Sequence, residues 1–242
     1  ALFDIRQQAH QGGDLGLGTV NASAGAAGVT LSSTIGAITD LNGGDTNVTA
    51  LTLTAAAVTG IDVDTAVATV TSATTTGAAA NIDLDEADDV TLTLVTTTTG
   101  NIDVSAGGNM TIANDDTATA LVREGGVHAG GLGSTATLTA SRSILDAADA
   151  GTVTLNVSAT NLVLVGATGV GTDPTLDPDD EFVVGIGQID TAVTNLAGFG
   201  GTGGFALANT GALTIATVGT VIGVSAVTGD IDVRTSSPLT VN

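Results

Sequence analysis

The sequence predicts an all-β fold, a parallel β-helix of roughly twelve coils with about twenty residues in each. Three observations lead there. Short runs alternate apolar and polar residues, Gly, Asn, Asp and Ser interrupt them about every ten residues, and apolar positions recur near a period of twenty.

The runs come first. They include Ile61-Asp-Val63, Ile82-Asp-Leu84, Val90-Thr-Leu-Thr-Leu94, Ile102-Asp-Val104, Leu162-Val-Leu164, Leu213-Thr-Ile215 and Ile231-Asp-Val233. Alternation of this kind sends apolar side chains to one face of a strand and Thr or Asp to the other. The 34 glycines supply many tight turns. The spacing comes next. Ile82, Leu92, Ile102 and Ile112 stand ten apart, so like positions recur every twenty. Near the C-terminus, Leu213 to Ile231 and Val221 to Leu239 suggest a period of eighteen. A twenty-residue coil holds two or three short strands, and twelve coils would stack into a rod about 55–60 Å long.

Composition limits the core and the partners. Hydrophobic residues make up 43% of the 242, yet aromatics only 2%: Phe3, Phe182, Phe199 and Phe205. The core must be built from small aliphatic side chains, which suit thin regular layers. Twenty-five acidic residues face four arginines (Arg6, Arg123, Arg142 and Arg234) and no lysine, for a net charge of -21. Nucleic acid and anionic membrane surfaces are repelled by such a chain. With 0 cysteines, neither a disulfide framework nor a thiolate metal site can form. No apolar run reaches the ~18 residues needed to insert in a bilayer. Ala1 in place of Met, followed by Asp4, Arg6, Gln7 and Gln8, points to a removed leader or a longer parent chain.

A longer repeat overlies the coil period. Ile35-Gly-Ala-Ile-Thr-Asp40 and Asn47-Val-Thr-Ala match Ile144-Leu-Asp-Ala-Ala-Asp149 and Asn156-Val-Ser-Ala at a constant offset of 109. Val63-Asp-Thr-Ala-Val67 matches Ile189-Asp-Thr-Ala-Val193 at 126, and Thr99-Gly-Asn-Ile-Asp-Val104 matches Thr228-Gly-Asp-Ile-Asp-Val233 at 129. The jump in offset locates an acidic insertion near 173–188. The expected organisation is a cap or joining segment at 1–27, a first solenoid module at 28–142 and a second at 143–242.

Segments such as Ser143-Ile-Leu-Asp-Ala147, Asn209-Thr-Gly-Ala-Leu-Thr-Ile215 and Thr228-Gly-Asp-Ile-Asp-Val233 resemble the repeat arrays of filamentous-haemagglutinin-like adhesins and related giant bacterial exoproteins. The resemblance covers roughly Gly28 to Asn242. It implies a right-handed helix, export to the cell surface, and work in adhesion, filaments or envelope layers. No amino-terminal secretion domain or anchoring domain of that family is present in these residues.

Residue type and spacing mark the candidate sites. Asp173, Asp177, Asp179, Asp180 and Glu181 form the candidate metal site, since Ca²⁺ takes six to eight oxygens and clustered carboxylates supply them. Their spacing matches neither an EF-hand loop nor the calcium-binding nonapeptide repeat. Asp83, Asp85, Glu86, Asp88 and Asp89 form a second acidic cluster, read as outward decoration. His10 and His128 fall in no metal-binding pattern and are read as surface or turn residues. The glycine pairs, Gly107-Gly108 and Gly203-Gly204 among them, are read as turns. Thr arrays such as Thr91/Thr93 are read as ordinary exposed β-surface. No Gly-x-Ser-x-Gly nucleophile context occurs.

The expectation is therefore a non-enzymatic structural protein, secreted and held at the cell surface. It would be an adhesin stalk, or a filament or surface-layer subunit joined end to end through uncapped coils. Its partners would be copies of itself, neighbouring repeats of a larger chain, or glycans of a host or neighbouring cell. A carbohydrate-active β-helix is the rival from another class. It is disfavoured by the shortage of basic residues and by the lack of Trp and Tyr.

Overall fold

A computed structural model describes residues 2–7, 13–23, 27–115, 123–147, 155–171 and 187–242. Among these residues there is no helix, and twenty-five strands join in one hydrogen-bonded system. Every pairing within it is parallel. A single antiparallel hairpin, Thr217–Val218 with Val221–Ile222, stands apart.

Each full coil contributes three strands. One coil runs Ile82–Glu86, Val90–Leu92 and Leu94–Thr99, and the next Ile102–Ala106, Met110–Ile112 and Gly126–Ala129. Thr135–Ala140, Ser143–Asp146 and Val157–Ser158 follow, and then Asn161–Gly166, Gly169–Val170 and Ile189–Ala192. Corresponding strands pair in register, which gives three stacks. The fold is a parallel β-helix.

Register turns the sequence period into a core. In the first stack Leu15, Ile38, Ile61, Ile82, Ile102, Ala136, Leu162 and Leu196 lie one over another. All but the half-buried Leu15 are buried. Beside them run Val63, Leu84, Val104, Leu138 and Leu164. One continuous apolar cluster extends from Leu17 to Leu213. Each buried Leu, Ile or Val stabilises the fold by roughly 1.5–3 kcal/mol before ordering costs.

The twenty-residue period holds where it is read most clearly, with Ile82 over Ile102 and Leu92 over Ile112. Later coils are longer. Ile102 to Ala136 and Leu162 to Leu196 each span thirty-four residues. The extra chain falls at one corner, between the second stack and the third, in three successive coils. The rungs from Leu15 through Leu196 to Ile215 and Val241 therefore number ten, and nine steps at ~4.8 Å give a stack about 43 Å long.

The eighteen-residue spacing near the C-terminus is not a coil. Leu213 pairs with Leu239, twenty-six residues on, and Ile231 lies over Phe205. Val221 belongs to the hairpin opposite Val218. The hairpin adds residues to this coil and packs on an external apolar strip of Val163 and Ala197.

One glycine shows how strict the packing is. Gly198 continues the row Leu138–Leu164. A Cβ there would come within 2.4 Å of the Phe205 ring, which is completely buried. Here the Phe205 ring takes the volume that an aliphatic rung fills elsewhere.

From residues 1–27, Leu2–Gln7 pairs with Gly28–Ser33, Leu15–Leu17 with Ile38–Asp40, and Val20–Asn21 with Val48–Thr49. The parallel stacking therefore begins before residue 28.

Core depth gives a direct test. Leu84→Ala should lower unfolding stability by about 2–5 kcal/mol, through lost burial and a residual cavity. Leu132→Ala, at a fully exposed side chain, should change it by less than about 0.5 kcal/mol. Denaturant titration of the two variants measures both.

Candidate functional site

Strand parity decides where each acidic side chain goes. In Ile82–Glu86, Ile82, Leu84 and Glu86 point inward while Asp83 and Asp85 point outward. Stacking then places Asp62, Asp83 and Asp103 one over another, and beside them Asp64, Asp85 and Ser105. Like charges at strand spacing repel each other and lose water to their neighbours. Burial first, then repulsion from Asp103, Asp85, Asp62 and Asp64, pushes Asp83 up to about 6. Asp103 and Asp64 are raised too, by burial first and then by Asp85. The Ser105 hydroxyl donates to the Asp85 carboxylate and relieves one rung.

The sequence groups Glu86 with these aspartates; the structure separates it from them. Glu86 is buried and accepts from the Thr65 hydroxyl at 2.6 Å, from Val67 N–H at 3.0 Å and from Asp88 N–H at 3.3 Å. Burial raises its pKa and these hydrogen bonds hold it down in part. The parity of Ile82, Leu84 and Glu86 was the signal for an inward carboxylate.

The same socket recurs in the second copy of the motif. Thr191 and Val193 correspond to Thr65 and Val67. Their hydroxyl and N–H both donate to Asn209 Oδ1 at 2.9 Å. The Asp-Thr-Ala-Val repeat thus grips one polar side chain from the next coil, a carboxylate in one copy and an amide in the other.

The Asn47 and Asn156 match has equal physical content. Asn47 is wholly buried. Its amide donates to Leu17 and Gly18 carbonyls in one neighbouring coil, and to the Asp40 carboxylate at 2.7 Å. It also donates to the Asn42 side chain. Its Oδ1 accepts from Asp64 N–H at 2.8 Å in the other neighbouring coil. Asn156 repeats this pattern with Ile112 O, Asn114, Asp146 and Asp190 N–H. The hydrogen bond from Asn47 is the first cause holding Asp40 below the usual carboxylate range. The counterpart of Asp40 is Asp146, not Asp149 as a constant offset implies, because the coil lengths differ.

His128 is no surface residue. It is 4% exposed and contacts Ser158, Gly125 and Asp115. His10 lies outside the described residues. Of the glycine pairs, Gly107-Gly108 marks a corner where a Cβ at either position would come within 2.0 Å of an oxygen of the previous coil. Beside it a shallow groove of about 520 Å³ is lined by Ala66, Val67, Asp88, Asp89 and Arg142. The Thr arrays include one true ladder, Thr52, Thr69, Thr91 and Thr111.

Asp173, Asp177, Asp179, Asp180 and Glu181 lie outside the described residues. Their segment connects Gly171 to Gly187, at the corner where the coils are longest. Among the described residues, no three His, Asp or Glu side chains converge as a metal-binding group. Comparison with family models, curated proteins and solved structures returns no significant match.

Two measurements test these sites. Asn156→Leu strands the Asp190 N–H and removes a donor from Asp146, so stability should fall by about 2–4 kcal/mol. A carboxylate with a raised folded pKa binds its proton more tightly in the folded state. The ladder's destabilising effect is therefore absent below the unfolded pKa of about 3.9 and fully developed above 6. Asp83→Asn should raise the thermal midpoint by a few degrees above pH 7 and leave it unchanged near pH 4.

Proposed function

We propose that this chain is a non-enzymatic structural protein of the bacterial cell surface, a segment of an adhesin stalk or a unit of an extracellular filament. One observation carries the reading: coil after coil stacks in register around one apolar cluster, with acidic rows along its flank. Ile231 and Leu239 lie over the buried Phe205 and Leu213. Yet Ile231 is 49%, Leu239 44% and Val241 69% exposed. Exposed apolar rungs of this kind give a further coil a surface on which to stack.

The next coil comes from neighbouring repeats of a longer chain or from the end of a second copy. The flanks suit either case. The Asp62–Asp83–Asp103 ladder gives the side of the rod a concentrated negative charge, so rods repel sideways while their ends remain adhesive. The acidic surface leaves cations, neutral glycans and like coils as partners.

Sedimentation and negative-stain microscopy of the purified chain test the assembly. End-to-end rods that lengthen with concentration are expected, and Leu239→Asp with Val241→Asp should return them to single units. A monodisperse species at high concentration that binds a flanking-repeat fragment would place the chain in a stalk. Absence of both associations would remove the proposal.

A further inference from the structure

We infer that Ser158 is an activated nucleophile that accepts acyl groups from esters, with His128 as its base and Asp115 as a positioning residue. The site is separate from the terminal coil and does not depend on how the rod assembles.

The argument starts from the register. His128 and Ser158 are adjacent rungs of the outward row of the third stack, so the imidazole and the hydroxyl meet directly. Ser158 Oγ lies 2.8 Å from His128 Nδ1. The other ring nitrogen, Nε2, lies 2.6 Å from the Gly125 carbonyl, which can only accept, and 3.6 Å from Asp115 Oδ2. Nε2 therefore carries the proton. Nδ1 is left as a bare acceptor, and the serine hydroxyl donates to it.

Asp115 is fixed in turn. Arg123 donates to its Oδ2 at 2.8 Å and Glu124 N–H to its Oδ1 at 3.3 Å. The carboxylate is buried, paired with Arg123, and lies 3.6 Å from the protonated edge of the ring. This is the arrangement of nucleophile, base and orienting acid that activates a hydroxyl. His128 is buried and Ser158 half-buried, so the base is shielded while the nucleophile keeps an open side.

The charged groups facing the ring are Asp115 and Arg123. Burial is the main cause lowering the His128 pKa; the Gly125 carbonyl opposes it, Arg123 adds to it and Asp115 opposes it. The imidazole is neutral at physiological pH, the form a base requires.

The step balances without a co-reactant. Ser158 Oγ attacks the ester carbonyl carbon and its proton moves to His128 Nδ1. The carbon–oxygen bond to the alcohol breaks, and the alcohol leaves with the proton from Nδ1. Ester and serine become acyl-serine and free alcohol. No Gly-x-Ser-x-Gly elbow surrounds Ser158; two coils supply the pair instead.

Intact-mass spectrometry of the native chain treated with p-nitrophenyl acetate or a fluorophosphonate tests this. One adduct per chain, mapped to Ser158, is expected. Ser158→Ala should abolish it, and His128→Gln should slow it about a hundredfold or more. The native rate should fall only when pH drops below the ordinary histidine range. Asp115→Asn should slow labelling and move that midpoint lower still, a shift that a purely structural carboxylate would not cause. If His128→Gln fails to fold by circular dichroism, the native pH profile and site mapping decide. No adduct at Ser158, or a rate independent of pH from 4 to 8, overturns the assignment.

Discussion

Parallel strands stacked in register force every side chain to lie on its own counterpart in the next coil, about 4.8 Å away. Everything else in this molecule follows from how each residue type tolerates that placement. Aliphatic residues tolerate it best, and their rows make a core with Phe205 as the one buried aromatic among the described residues. Amides tolerate it when they donate along the axis, as Asn47 and Asn156 do. Carboxylates tolerate it poorly: in the row Asp62–Asp83–Asp103, burial and then like charge raise the pKa of Asp83 and of Asp103.

The outward row of the first stack shows the same rule changing character along the rod. It runs Asp62, Asp83, Asp103, Thr137, Val163 and Ala197. One end is charged and wet. The other is apolar, and the Thr217–Ile222 hairpin packs over it. That hairpin covers the apolar strip of Val163 and Ala197, which gives the extra residues a physical role.

How much of this could be read from sequence depended on whether spacing was constant. Between Ile61 and Ile112 it was nearly so, and the register followed directly. The eighteen-residue C-terminal spacing is not a coil because a hairpin lies inside that turn, and spacing cannot distinguish a rung from an insertion. The repeats at Asn47/Asn156 and Thr65/Thr191 were visible as strings. Their content was not, since it is a set of hydrogen bonds to three different coils. The two copies also occupy different stacks: Thr65 lies on Glu86 in the first, Thr191 on Asn209 in the third. Strand parity could have placed Glu86 inside. Nothing local could have placed His128 against Ser158, thirty residues away, because the coil length there departs from twenty.

The buried asparagines have a mechanical meaning. A β-helix pulled along its axis comes apart one coil at a time, since strands lie across the load and each peels from its neighbour alone. Asn47 bonds to the coil before it, to its own and to the coil after it. Asn156 does the same farther along. Each therefore shares a pull among three layers, and peeling that reaches it must break several hydrogen bonds together. Two such rivets, set on different sides of the rod, resist that peeling at two separate levels along its length.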